Sequence, residues 1–248
     1  MGIRNSVSIV IPARYASSRL PGKPLLRATG KYLIQHVYEQ AEKCDRASRV
    51  IVATDDERIA AAVREFGGAV AMTRADHASG TDRVAEVAAT LGDDMIVNLQ
   101  GDEPQFDPAA ISLLIDLLEA DHGVGLATLA TPLRTAAEFH NPNVVKVVRA
   151  DSGRALLFSR SPIPYPRDGE PDFTSGLYLQ HLGVYAYRRD VVLKLAATPP
   201  HPLELAEQLE QLRALAHGLA IQVGVIPVGH KGVDTPADYA AFVTSLKT

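Results

Sequence analysis

The 248-residue chain has no tryptophan and one cysteine, Cys44. A single thiol excludes an intramolecular disulfide and a thiolate metal cluster. Long apolar runs are also missing. Nothing approaches the ~18 consecutive residues of a membrane span, so membrane insertion is not expected. Near the amino end, residues 7–13 form a short apolar stretch that Arg14 interrupts, too brief for a secretory core, and a cytoplasmic protein is expected. Basic charge is not in excess: 25 Lys and Arg stand against 29 Asp and Glu, a formal net charge of −4. With no long basic run, nucleic acid is not an expected partner. Two glycine patterns are absent as well. No G-x-G-x-x-G follows the first apolar run, and Gly22-Lys23 is followed by Pro24 rather than Ser or Thr. A dinucleotide dehydrogenase and a Walker-type phosphate loop are both disfavoured.

What is present is an ordinary globular composition, 46% hydrophobic and 22% charged, which excludes bulk disorder. β-Branched runs alternate with helical patterns. Residues 7–12, 49–54, 69–73 and 95–100 read as strands, the first a continuous apolar run of the kind buried on both faces. Between and after them, helices are expected from about 33 to 44, 55 to 67, 81 to 91 and 107 to 121, the last opened by Asp107-Pro108. This rhythm predicts a largely parallel sheet with helices on both faces. Beyond residue 125 the runs 126–131, 144–149, 155–159 and 182–188 follow one another with little helix between them, suggesting antiparallel additions. A helix over 203–217, a strand over 220–227 and a helix over 235–246 complete the expectation. Residues 165–176, rich in Pro, Gly and charge, read as an exposed loop.

Three segments carry candidate chemistry. After the first strand, Arg14, Arg19 and Lys23 occur without an intervening acid, around Gly22 and between prolines. A basic cluster beyond a strand's carboxyl end suits a polyphosphate, with Arg donating in a fork and Lys acting as a point charge. A solvated loop is the plainer alternative. Next, Gln100-Gly101-Asp102 ends another strand, and a carboxylate there would suit Mg²⁺, which takes one or two protein carboxylates beside phosphate oxygens and water. Asp234, far along the chain, is either a second carboxylate for that ion or a helix N-cap. The third segment, 73–82, reads first as a capping signature around Ser79, with His77 a weak ligand.

The segments IPARYASSRLPGKPL, IVATDD, MTRADHASGTDR, VNLQGDEP, NPNVVKVV, ALLFSR, HLGVYAYR, LEQLR and GVDTP, in order over residues 10–236, resemble the 3-deoxy-D-manno-octulosonate (KDO) cytidylyltransferases. The resemblance implies an α/β fold: a Rossmann-like, glycosyltransferase-A-like mixed sheet flanked by helices. One nucleotidyltransferase domain is implied, its nucleotide-binding core at about 1–130 and 218–248 and a small sugar-binding and dimerisation lobe at about 131–217. It implies transfer of CMP from CTP to KDO for lipopolysaccharide synthesis, dependence on Mg²⁺ and a homodimer. Carried residue by residue, it assigns Arg14, Arg19 and Lys23 to the triphosphate and Arg74, Ser79 and Gln100 to the cytidine. Asp102 and Asp234 go to the metal, Arg160, His181, Tyr185, Glu210 and Gln211 to KDO, and Lys23, Asp102 and Asp234 form the catalytic set. Two words depart from the family pattern: Gly30-Lys31-Tyr32 stands for G-K-P, and Leu205 replaces the histidine of PLEH. Spacing alone assigns Glu204, Glu207, Gln208 and Gln211 to a solvent-facing helical stripe. A nonulosonate cytidylyltransferase is the nearest alternative. A glycosyltransferase is disfavoured because Asp102-Glu103-Pro104 is not an Asp-x-Asp motif.

Overall fold

The structure, a computed structural model, describes residues 5–16, 19–229 and 232–247. The chain divides into two compact units, residues 1–112 with 230–248 and residues 113–229.

The first unit is a parallel sheet in the order β3-β2-β1-β4, formed by β1 (Val7–Ala13), β2 (Arg49–Thr54), β3 (Val70–Met72) and β4 (Met95–Asn98). Ile9, Val10 and Ile11 are fully buried, so both faces of β1 are covered, which is why the run is continuously apolar. The crossovers are α1 (Leu33–Glu42), α2 (Glu57–Glu65) and α3 (Gly80–Thr90), and α4 (Pro108–Ala120) follows β4. Their starts obey local capping chemistry. Asp56 accepts from Arg58 N, Ser79 and Asp82 form a capping box, and Asp107 accepts from Ala109 N. The carboxy-terminal helix, here called α9 (Pro236–Ser245), belongs to this unit: Val233 and Phe242 pack with Leu33, and Tyr239 Oη accepts from Ala28 N.

The second unit contains β5 (Leu126–Pro132), α5 (Ala136–His140), β6 (Lys146–Arg149), β7 (Ala155–Ser159), β8 (Leu179–Arg188), α6 (Arg189–Ala197), α7 (Pro202–Glu207), α8 (Gln211–Ala216) and β9 (Ile221–Val225). Its sheet is mixed: β5 runs antiparallel to β8 and parallel to β9, while β6 pairs antiparallel with β7 and β8. The antiparallel additions expected after residue 125 are therefore present. Two short helices were not legible: α5 follows a capping box at Thr135 and Glu138, and α6 begins directly at the end of β8.

The expected helix over 203–217 is two helices. Gln208 adopts φ 52°, ψ 50°, a left-handed conformation that ends α7. The expected solvent-facing stripe is absent with it: Glu204 and Gln211 are each only 6% exposed. Glu204 is turned inward by Arg213, whose Nη2 and Nε reach its carboxylate at 2.5 and 2.7 Å.

Candidate active site

Beyond β1 the chain turns back on itself. Gly22 N donates to Tyr15 O, and Gly22 adopts φ 67°, where an added Cβ would also meet the Tyr15 ring at 3.2 Å. Glycine thus sets up the short 3₁₀ turn Lys23–Leu25, with Pro24 buried beneath it. Lys23 is thereby fixed on the inner side of the loop. The end of β4 comes equally close to β1: a Cβ on Gly101 would lie 2.9 Å from Pro12 O, so only glycine permits that approach. Asp102 follows directly.

Asp234 is not a helix cap. Thr235 takes that position, accepting from Asp238 N while Asp238 returns the bond, so the Asp234 carboxylate is left for other work. Its backbone is held beside Asp102 by Val233 N donating to Asp102 O at 2.7 Å. The side chains then converge. Lys23 Nζ donates to Asp102 Oδ2 at 2.7 Å and to Asp234 Oδ1 at 3.2 Å, and Arg19 Nη2 lies 3.1 Å from Asp234 Oδ1. Arg14, Arg19, Lys23, Gln100, Asp102 and Asp234 line one cavity of about 360 Å³. Three cations against these two carboxylates leave it net positive, the sign a triphosphate needs. The neighbouring Glu103 adds little negative charge, because burial first, then Asp102 and Asp234, push its carboxyl up to about 8.

An ammonium already bridges the two aspartates, so the pair suits a cation. No group of three or more His, Cys, Asp or Glu among the described residues could hold a metal ion. Two hard oxygen donors suit Mg²⁺ completing its shell from phosphate and water rather than a caged transition metal.

The residues assigned to the cytidine divide. Gln100 lines the cavity. Arg74 and Ser79 are not among its lining residues. Arg74 is exposed and paired with Asp76 at 3.1 Å, and Ser79 caps α3. Arg14 links the two regions, its Nη2 donating to His77 O at 2.9 Å. Beneath this loop lies Arg83, which sequence reasoning missed. It is fully buried, hydrogen-bonded to Thr73 Oγ1 and 3.0 Å from Asp55 Oδ1. Asp55 and Thr73 directly follow β2 and β3, so Arg83 holds the base of the segment carrying Arg74 and Ser79. Its sequence signal was no more than a second charge, after Asp82, in the polar word SGTDR.

The residues assigned to the sugar lie in the second unit. His181 and Tyr185 project from the same face of β8, as the two-residue strand period requires, with ring centroids 5.5 Å apart. Phe158 packs edge-on against His181 at 4.9 Å. Burial, then Tyr187 and the Glu210 carboxylate, hold the Tyr185 phenol in its neutral form. Gln211 is buried, and its Nε2 has no hydrogen-bond partner among the described residues. Arg160 is already engaged: its guanidinium donates to Glu207 O at 2.6 Å, Pro142 O at 2.9 Å and Gln208 O at 3.4 Å. It anchors the α7 terminus, and five N–H donors leave it capacity beyond these acceptors.

Burial depresses His181 to about 3 from an ordinary 6.5, so the imidazole is neutral in the fold. The unfolded chain takes up this proton first as pH falls. The stability tied to a neutral His181 is thus complete above pH 6.5 and is lost as pH drops toward 3. His181→Gln should flatten the fall of unfolding free energy across that window by up to about 1.4 kcal/mol per pH unit, read by urea titrations at several pH values. An unchanged slope would show that His181 charges freely in the fold.

A cytidylyltransferase family model matches residues 8–221. The 3-deoxy-manno-octulosonate cytidylyltransferase of Syntrophobacter fumaroxidans is 52% identical over 240 residues, 96% of this chain and 95% of that protein. The protein of the same name from Syntrophotalea carbinolica is also 52% identical, over 98% of this chain and 99% of its own. The chain belongs to the 3-deoxy-manno-octulosonate cytidylyltransferase family. A solved CMP:2-keto-3-deoxy-manno-octonic acid synthetase, complexed with CTP, shares this cytidylyltransferase's fold with a TM-score of 0.92 at 47% identity, covering 98% of each chain. No helix among the described residues is long and apolar enough to cross a membrane.

Proposed function

We propose that the protein transfers CMP from CTP to KDO, releasing pyrophosphate, and that Asp102 and Asp234 are the residues that would hold Mg²⁺. The observation that carries this reading is the meeting of Lys23, Asp102 and Asp234 in one cavity lined by Arg14 and Arg19. The sugar's anomeric hydroxyl oxygen attacks the α-phosphorus, the bond to the bridging oxygen of the β-phosphate breaks, and the hydroxyl proton passes to solvent. The protein's work is therefore positioning and charge neutralisation. Arg14 and Arg19 supply guanidinium donors to the phosphates. Lys23, poised on the two carboxylates in this structure, supplies an ammonium for charge on the α-phosphate and the departing pyrophosphate. When bound, Mg²⁺ would polarise the phosphate oxygens and lower the pKa of the sugar hydroxyl. Neutral His181 and Tyr185 offer hydrogen bonds without charge, leaving Arg160 as the sugar subsite's cation for the KDO carboxylate.

The reading extends to a cytoplasmic homodimer supplying lipopolysaccharide synthesis. The dimer alone draws support from a set of exposed leucines in the second unit, Leu156, Leu157, Leu177, Leu203 and Leu205, of which Leu205 is 64% exposed. Sedimentation should give twice the chain mass, whereas a monomer at micromolar concentration would count against the dimer. The substrate is tested by following pyrophosphate release with CTP, Mg²⁺ and a panel of KDO, an 8-substituted KDO and a nonulosonate. Turnover of KDO is expected, and failure with KDO alongside turnover of a nonulosonate would reject the assignment.

A further inference from the structure

The pairing of β5 with β8 is interrupted where the sugar residues stand. Thr128 faces Tyr185, but the next residue, Leu129, faces Leu182, so Gly183 and Val184 are extra on β8. This bulge separates His181 from Tyr185. Thr128 is fully buried against it, and its Oγ1 has three neighbours: Val184 O at 2.8 Å, Leu182 O at 3.1 Å and His181 Nε2 at 2.9 Å. A hydroxyl has one proton, and carbonyl oxygens only accept. Were that proton given to the imidazole, two carbonyl oxygens would face the hydroxyl oxygen at hydrogen-bond distance with no hydrogen between them. The proton therefore goes to the carbonyls, Oγ1 accepts from the ring, and Nε2 carries the imidazole hydrogen. Because the ring is neutral, Nδ1 is then a bare acceptor, and among the described residues it has no hydrogen-bond partner. Phe158 and Tyr185 pack against the ring and fix its plane.

We propose that Thr128 is a positioning residue that locks His181 in its Nε2–H tautomer, so that Nδ1 accepts a hydrogen bond from a hydroxyl of the acidic sugar. The inference rests on the assignment of His181 to the sugar subsite and adds to it a direction: this contact reads a donor on the sugar and has no affinity for its carboxylate. Thr128 touches no substrate and acts through the ring and the bulge.

The test uses full-length protein labelled with ¹⁵N in histidine and long-range ¹H–¹⁵N correlation, which separates protonated from bare ring nitrogens. In the unsubstituted protein His181 should show Nε2–H alone. Thr128→Val, equal in shape but without the hydroxyl, should give a tautomer mixture and raise KM for KDO about tenfold while KM for CTP stays within about twofold. Thr128→Ser should restore both the tautomer and the KM. An Nδ1–H tautomer in the unsubstituted protein, or an unchanged tautomer in a folded Thr128→Val, would overturn the proposal. So would a controlled tautomer with an unmoved KM for KDO, or an equal rise in both KM values. Absence of KDO turnover in the unsubstituted enzyme is a different result: it rejects the substrate reading, and the tautomer measurement still judges the role of Thr128.

Discussion

Asp102→Asn should reduce turnover about 10³-fold or more while leaving the fold intact, because charge stabilisation at a transferring phosphoryl group is lost. The two halves of that expectation come from different observations. Among the described residues Asp102 is one of two carboxylates that line this cavity, so neutralising it removes half of the negative charge available there to hold a divalent ion. Lys23 keeps its contact with Asp234 at 3.2 Å, and the Asp102 side chain is 30% exposed. Loss of one partly exposed ion pair costs at most about 1 kcal/mol. Steady-state kinetics at saturating and limiting Mg²⁺, alongside urea unfolding, separate the two. Near-normal turnover at limiting Mg²⁺ would show that Asp102 does not hold the ion. A collapse of stability would assign Asp102 to the fold instead.

In the second unit, Arg213→Met is expected to destabilise by about 3–5 kcal/mol, a large part of the 5–15 kcal/mol of a typical domain. Glu204 and Arg213 are 6% and 8% exposed, and Arg213 also donates to Leu195 O at 3.1 Å and Thr198 O at 3.0 Å. Removing the guanidinium strands a buried carboxylate and two carbonyls. Glu204→Met in the same chain removes the stranded charge, so the double variant should recover much of the loss. Equilibrium unfolding of the two singles and the double gives the coupling directly. Additive single effects would mean that the pair is not coupled across the α7–α8 break.

Much of the first unit is legible because its signals are local. Ile9 to Ile11 announce a strand covered on both faces, Ser79 and Asp82 announce a helix start, and Arg14, Arg19 and Lys23 sit in one loop. What could not be read is what non-local bonds decide. Asp234 read either as a cap or as a second carboxylate for the ion, and only the Thr235–Asp238 box together with the bond from Val233 N to Asp102 O decides between them by leaving its carboxylate beside Lys23. The helix expected over 203–217 failed for a related reason. Its polar spacing continues through Gln208, and nothing local announces the left-handed residue that turns Glu204 toward Arg213. His181 and Tyr185, four apart, straddled the expected start of the strand over 182–188, so their spacing carried no helical meaning. The strand period places them on one face, while the bulge that separates them and the hydroxyl of Thr128 beneath it belong to a pairing with β5 that sequence spacing does not encode.

The central claim is that the basic loop and the two aspartates act on one triphosphate through a shared ion. Its most direct measurement is ³¹P electron–nuclear double resonance on the protein with Mn²⁺ and CTP, compared with Asp102→Asn and Asp234→Asn. The account predicts a ³¹P coupling from an ion bound at once to protein and phosphate, and loss of that protein-bound ion in each variant. An ion bound equally well in both variants, or a protein-bound ion without phosphorus coupling, would contradict it.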